Sequence, residues 1–343
     1  MTYFPSSHFR SAQYEIERHA HELAKITALN HPHINGLVGT IQTNNEWWMI
    51  SQWCDGGTLF DLWQRNLVPT ISGNLIREIL HQLDGLADAT RVLHKNEIRL
   101  GNLQPGKILS LKKQNNNEIG ELRFDCVSYS IRKHHQVTTM RYATRTGSLT
   151  TIYDAPGIRK MEPRTRYSDI WSMGCIILEF MIWILYGPAK LEKFREEFKY
   201  RPYDFTADER VAFQSDNVKI WIERISQDPR CKEGTALGDL IKLVNTKLLV
   251  AAIPPREEVS VVRAPDLEVA SSQDQFTFSI SVSDPSVPDP SPPSTAATET
   301  QYRADAEELH KELHRIAQKA DSDSNYLFTS TVPETPNAPE PAA

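Results

Sequence analysis

From Tyr14 to Leu29 apolar residues recur at helical spacing (Ile16, Ala20, Leu23, Ile26) among Glu, His and Lys. Asn30-His31-Pro32 stops the run, which predicts an amphipathic helix. Two β-rich runs follow, Ile34–Thr43 and Trp47–Trp53, joined by the turn-forming Asn44-Asn45. Cys54-Asp55-Gly56-Gly57 breaks the chain before a helix near Thr58, and a longer helical pattern covers Ser72 to His94. Ile108–Leu111 and Leu122–Phe124 flank a polar stretch and predict a second hairpin; residues 131–168 are polar and loop-like. Helical patterns then fill 170–186, 189–199, 207–226 and 235–250, and one more helix is marked by Ala306, Leu309, Leu313 and Ile316. A small sheet at the front and a larger helical body predict an α+β protein.

Charge and proline change the picture at residue 250. Lys and Arg exceed Asp and Glu by 4 over residues 1–250, acids exceed bases by 10 over 251–343, and 12 of the 21 prolines lie in that last part. The Pro/Ser-rich acidic stretch 251–301 is expected to be a flexible insertion, because it cannot bury enough apolar surface to offset the cost of ordering. Val259–Val262 and Phe276–Ile280 are strand candidates within it. The expected organisation is an extension 1–13, a front portion 14–54, a helical body 55–250, the insertion, a last helix 302–320 and a tail 321–343. No basic stripe suits a nucleic-acid backbone. The most apolar stretch, Ile176–Tyr186, carries Glu179 and is about half a membrane span, so a buried helix is expected and no membrane partner. Four well-separated cysteines argue against a zinc ribbon or disulfide framework, and an intracellular, cytoplasmic site is expected, with the nucleus left open. The N-terminus shows no secretory signal pattern.

The run from Leu93 through His94, Arg99, Gly101, Asn102, Gln104 and Lys107 to Leu109 resembles, without a gap, the catalytic loop of eukaryotic-type protein kinases. Other matches follow in order: Glu22, ten residues before Pro32, with the helix-C glutamate; Gln52-Trp53-Cys54-Asp55-Gly56-Gly57 with the hinge; Ala155-Pro156 with the end of the activation segment; Asp169-Ile170-Trp171-Ser172-Met173-Gly174 with the buried F helix; and Arg303-x-x-Ala306-x-x-Leu309 with the arginine motif near the end of the fold. The resemblance is to the Ser/Thr type and is similar in tone to kinase-domain proteins of filamentous fungi. It implies a bilobal fold whose front lobe is reduced, its first three strands being absent, and a nucleotide cleft in which Glu22 and the hinge residues Gln52, Trp53 and Cys54 are the cofactor-binding positions.

The same resemblance places the wrong chemistry at each catalytic position. Asn102 stands for the aspartate that accepts the substrate hydrogen and Gln104 for the phosphate lysine. Lys107 stands for the metal-binding asparagine, and Cys126 for the magnesium carboxylate. Asp125 sits one residue early, where strand alternation turns it to the opposite face unless a bulge intervenes. Hard magnesium takes oxygen ligands, so neither bound ATP nor Mg2+ is expected unless Asp125 is recruited. The glutamate that in the family pairs with the motif arginine is Gly157 here, so Arg303 is expected to be solvated or re-paired with another carboxylate. His19, His21, His31 and His33 lack the carboxylate or thiol spacing of a metal site. Three functions remain: a pseudokinase-like module that binds protein partners, a divergent Ser/Thr kinase using Asp125, and a truncated gene product.

Overall fold

The computed structural model describes residues 2–5, 9–43, 46–65, 71–112, 119–126, 132–133, 151–156, 165–197, 203–205, 212–254 and 301–327. Two units separate, 1–253 with 301–343, and 254–300; all but one of the described residues belong to the first. The strand candidates Val259–Val262 and Phe276–Ile280 and the position of Gly157 lie outside the described residues.

The chain opens with strand β1 (Thr2–Pro5), helix α1 (Phe9–Ala28), β2 (Ile34–Asn35), β3 (Leu37–Gln42) and β4 (Glu46–Ser51). Strand order β1-β4-β3 is antiparallel throughout. This corrects the sequence reading of the chain's start: a strand, Thr2–Pro5, precedes the first helix, and that helix begins at Phe9 rather than at Tyr14. Four residues with a proline at the end give too short a pattern to read, and only the ladder with Glu46–Met49 makes them a strand. Asn30 ends the helix region with φ of 48°, a left-handed conformation that Asn tolerates.

Helix α2 (Leu59–Gln64) starts at a capping box: the Thr58 hydroxyl accepts from Asp61 N at 3.1 Å, and Asp61 Oδ2 accepts from Thr58 N at 2.8 Å. Ser72 caps α3 (Gly73–Lys95) by a single bond, its hydroxyl accepting from Leu75 N at 3.1 Å. Then come β5 (Ile98–Arg99), a single 3-10 turn at Pro105–Lys107, β6 (Ile108–Leu111), β7 (Glu121–Asp125) and β8 (Arg132–Lys133). β7 lies between β2, parallel, and β6, antiparallel; β8 pairs with β5.

The helical body is built on α4 (Arg166–Tyr186), in which every residue from Ser168 to Leu185 is buried. It is long and apolar enough to cross a membrane, and its most apolar 18 residues are all buried inside the protein. Around it stand α5 (Pro188–Glu197), the ribbon β9 (Tyr203–Phe205) and β10 (Ala212–Gln214), α6 (Asp216–Gln227), α7 (Ala236–Leu243) with a π turn at Val244–Leu248, and α8 (Ala306–Ser322). The helix expected from 207 begins only after Ser215, whose hydroxyl caps Val218 N, while the residues just before it pair with β9. Trp63 meets Phe180 edge to face at 5.1 Å, tying α2 to α4. Gly174 allows Leu248 and Leu249 against α4: an added Cβ would lie 2.8 Å from the Leu248 Cβ.

Candidate functional site

The loop from Ile98 to Lys107 is held by one carboxylate. Asp169, 1% exposed at the start of α4, accepts from His94 Nε2 at 2.9 Å, from Leu100 N at 2.9 Å and from Gly101 N at 2.8 Å. Burial alone would push this carboxyl up, but the three donors outweigh it and hold it below the usual carboxylate value. Gly101 takes φ of 74°, which turns the chain so that Asn102 and Gln104 stand half-exposed while Leu103 and Pro105 plug into the core. Arg166 ties the start of α4 to the end of α3 by donating to the His94 carbonyl at 2.7 Å.

On this anchored loop the two functional positions are occupied by amides. Gln104 Nε2 donates to Asn102 Oδ1 at 3.3 Å, so they are paired with one another. Neither is a proton acceptor of carboxylate strength or a phosphate-binding cation. The Lys107 N–H closes the 3-10 turn on Gln104 O at 2.8 Å, bringing an ammonium to the edge of β6.

The placement of Asp125 and Cys126 is decided by how β7 is gripped. Both backbone groups of Leu122 are taken by side chains: its N–H donates to Gln82 Oε1 at 2.8 Å, and its carbonyl accepts from His33 Nδ1 at 2.7 Å. The ladder with β6 runs without a shift from Ile108↔Phe124 to Leu111↔Glu121, so no bulge occurs there. Leu122, Phe124 and Cys126 therefore point into the core, and Glu121, Arg123 and Asp125 share the opposite, half-buried face. Cys126 is fully enclosed, and burial drives its thiol far above its ordinary value. It is a core side chain, not a metal ligand.

The face that carries Asp125 is turned to the hinge. Arg123 Nη1 donates to Gln52 Oε1 at 2.6 Å, and its Nε donates to Glu121 at 2.8 Å. The Gln52 carbonyl accepts from the Asn35 amide at 3.2 Å; Asn35 is 1% exposed, and its own Oδ1 is buried without a donor among the described residues. Cys54 is buried beneath, its thiol raised by desolvation, whereas Trp53 is 81% exposed. The hinge thus already has partners in Arg123 and Asn35. Glu22 lies apart from this group and pairs along its own helix with Lys25 at 2.8 Å. The neighbouring strand β1, Thr-Tyr-Phe-Pro, contains no cation.

For a magnesium nucleotide the donor set does not fit: a lysine and an enclosed thiol stand where the resemblance puts the metal ligands, and Asp125 shares the hinge-facing side of β7 with Arg123 and Glu121, which pair with one another. The sequence reading placed Asn102, Gln104 and Lys107 on one loop, and the structure brings them together. It missed Asn35 and Arg123. The strict alternation Glu121-Leu122-Arg123-Phe124-Asp125 was the available signal, since it puts Arg123 on the face of Asp125. The histidines have separate tasks: His31 pairs with Asp88 at 3.1 Å, and His33 fixes β7. A cavity of about 240 Å3 opens behind His94 between Arg91, Lys95, Arg166 and Glu307, and none of Asn102, Gln104, Lys107 or Asp125 lines it.

Arg303 departs from expectation. It is 3% exposed, so it is not solvated, and among the described residues it has no carboxylate partner; it donates to the carbonyls of Val250 (2.7 Å), Tyr167 (3.0 Å) and Ala251 (3.2 Å). Its guanidinium also lies 4.8 Å over the Trp171 ring. Burial pulls it down to about 9, which leaves it charged at neutral pH. A second buried carboxylate of α4, Glu179, is gripped by Arg195 at 2.9 and 3.1 Å and by the Tyr153 hydroxyl at 3.0 Å.

The comparisons with known proteins agree with this architecture. The chain is similar to a calcium/calmodulin-dependent protein kinase of Metarhizium anisopliae, 25% identical over 177 residues, 51% of this chain and 42% of that one. It is also similar to the cAMP-dependent protein kinase catalytic subunit of Schizosaccharomyces pombe, 24% identical over 261 residues, 70% of this chain and 46% of the relative. A third relative, calcium/calmodulin-dependent protein kinase cmkA of Emericella nidulans, is 25% identical over 173 residues, 50% and 38% of the two chains. The chain thus spans less than half the length of these relatives. The protein kinase domain family matches residues 6–226, and with the loop, the α4 anchor and the helical body in the corresponding order, this chain belongs to the protein kinase domain family.

Proposed function

We propose that this chain is a catalytically inactive kinase-fold module of the Ser/Thr type, bilobal with a reduced front lobe, which acts by binding protein partners inside the cell. One observation carries the reading. The loop that in the family performs phosphoryl transfer is anchored by Asp169 through three hydrogen bonds, and the groups it presents are the mutually bonded amides of Asn102 and Gln104. Phosphoryl transfer rests on positioning and charge neutralisation. Here the positioning scaffold is intact and the charges are wrong: an amide for the base, an amide for the phosphate cation, a cation for a metal ligand. The four free, buried cysteines are in keeping with an intracellular setting.

The divergent-kinase reading needs Asp125 to hold magnesium beside the loop. The regular β6–β7 ladder and the shared face with Arg123 and Glu121 weigh against it.

The test is phosphate transfer from labelled ATP to a generic basic protein, with magnesium and separately with manganese, paired with thermal melts. No incorporation above a heat-killed control is expected, and ATP should shift the melt equally little with magnesium or with chelator. Metal-dependent incorporation that disappears in Asp125→Ala would overturn the proposal and install the divergent kinase in its place.

A further inference from the structure

Away from the cleft, the seam between α3 and α8 gathers imidazoles and carboxylates. His310 and His314 stand one helical turn apart on the face of α8 that meets α3, and Asp84 of α3 lies between them. His314 Nδ1 is 2.9 Å from Asp84 Oδ2, and His310 Nε2 is 3.5 Å from Asp84 Oδ1. One ligand atom from each of the three residues lies within 4.8 Å of the other two. Asp84 Oδ1 is buried and finds no hydrogen-bond donor among the described residues, an acceptor turned into the cluster without a proton to accept.

We propose that Asp84, His310 and His314 bind a divalent first-row transition metal, zinc by the chemistry of the donors, and that the ion clamps α8 to α3. Two imidazoles and a carboxylate are borderline ligands that suit zinc and not magnesium or calcium. Tetrahedral zinc with bonds of about 2.0–2.2 Å separates its ligand atoms by roughly 3.4 Å. The observed 2.9 and 3.5 Å separations run to the two different oxygens of Asp84, and one ligand atom from each residue lies within 4.8 Å of the others, so binding through one carboxylate oxygen needs the set to close by about an ångström. Water completes the coordination, or Asp88, whose Oδ1 is 3.7 Å from His310 Nε2. Asp88 is itself held by Arg91 and His31, which fixes it one turn along from Asp84.

An outer partner is also in place. Gln318 Nε2 lies 2.8 Å from His314 Nε2. When Nδ1 binds metal, Nε2 must carry the proton, and the Gln318 amide turned by half a rotation presents its oxygen to accept it. The side chain of His314 is 48% exposed and that of Asp84 16%, so an ion can enter from solvent while its carboxylate ligand stays shielded.

The test uses the full chain stripped of metal by chelator and dialysis. Titration with Co2+ should give the visible d–d absorption of a four-coordinate nitrogen and oxygen site, saturating at one equivalent, and Zn2+ should bleach it and raise the melting temperature. His310→Ala and His314→Ala should lose both the absorption and the melting shift, while His19→Ala/His21→Ala keeps them. Gln318→Ala, which leaves all three ligands, should weaken zinc by about 10–100-fold. If an alanine variant fails to fold by circular dichroism, His314→Gln and the Gln318 variant decide. Absence of the d–d absorption in the wild type would overturn the proposal, as would metal affinity unchanged in the folded ligand variants.

Discussion

Asp169 gives the sharpest quantitative test of how the loop is held. In Asp169→Ala the N–H groups of Leu100 and Gly101 and the ring of His94 lose their common acceptor, and Leu100 is 2% exposed, so water cannot replace it. A buried donor left without a partner costs about 1–3 kcal/mol. Removing the carboxylate from a buried ionised site recovers its desolvation, yet such single-partner deletions still cost about 3–5 kcal/mol. An expected loss of about 4 kcal/mol corresponds, for a body of this size, to roughly 8–16 °C in Tm. Asp169→Asn keeps the shape but offers one acceptor oxygen and an amide donor toward the backbone, so it should fall between the two.

Denaturant unfolding at neutral pH measures the total, and amide exchange at Leu100 and Gly101 measures the local effect, with faster exchange expected in Asp169→Ala. The carboxyl is depressed in the folded state by the donors that outweigh burial. Its contribution is therefore present above the unfolded carboxylate value near 4 and is lost as pH falls through the folded one, so the gap to Asp169→Asn should narrow in acid. A loss below about 1 kcal/mol, with unchanged exchange at both amides, would refute Asp169 as the anchor.

Three further outcomes follow from the geometry. Gly85→Ala should destabilise despite the gain in helix propensity of about 1 kcal/mol, because its Cβ would stand 2.0 Å from His33 Nε2; chemical denaturation reads the sign, and His33→Ala in the same chain should relieve it. Arg195→Ala strands the Glu179 carboxylate, 1% exposed, and should cost about 3–5 kcal/mol in a calorimetric melt, whereas Arg195→Met with Glu179→Gln should cost less. Asn102→Asp combined with Gln104→Lys should restore no phosphate transfer in the labelled-ATP assay, since under the proposed reading Lys107 and the enclosed Cys126 still stand where metal ligands are needed.

Much of this was readable because it depends on local pattern. The alternation through Glu121–Asp125 and the helical spacing of Leu75, Ile79, Leu83 and Leu86 are properties of neighbouring residues, and the corresponding strand and helix are where the pattern puts them. Asn102, Gln104 and Lys107 share one loop and needed no tertiary knowledge to be grouped. What the pattern does not contain is pairing across distance. β1 exists through its ladder with β4, His33 reaches Leu122 across 89 positions, and Asp84 meets His314 across 230. The four front histidines drew attention because they are close in sequence, while the cluster with metal-ligand spacing joins two helices that neither composition nor motif brings together.

Arg303 shows the same limit in energetic form. From sequence, a cation whose acidic partner has become Gly157 must reach solvent or another acid, because an unpaired buried charge costs several kcal/mol, of the order of 3–5. That reasoning counts side chains only. The backbone just after the π turn leaves the carbonyls of Val250 and Ala251 without helical partners, and the first turn of α4 contributes that of Tyr167. Three carbonyl dipoles converging on one planar guanidinium, with the Trp171 face behind it, replace water with no carboxylate partner among the described residues. The geometry depends on the fork of donors. Arg303→Lys keeps the charge but concentrates it at one ammonium, which cannot reach three carbonyls spaced for Nε, Nη1 and Nη2. The residue therefore joins α4 to the segment ahead of α8 by shape as much as by charge.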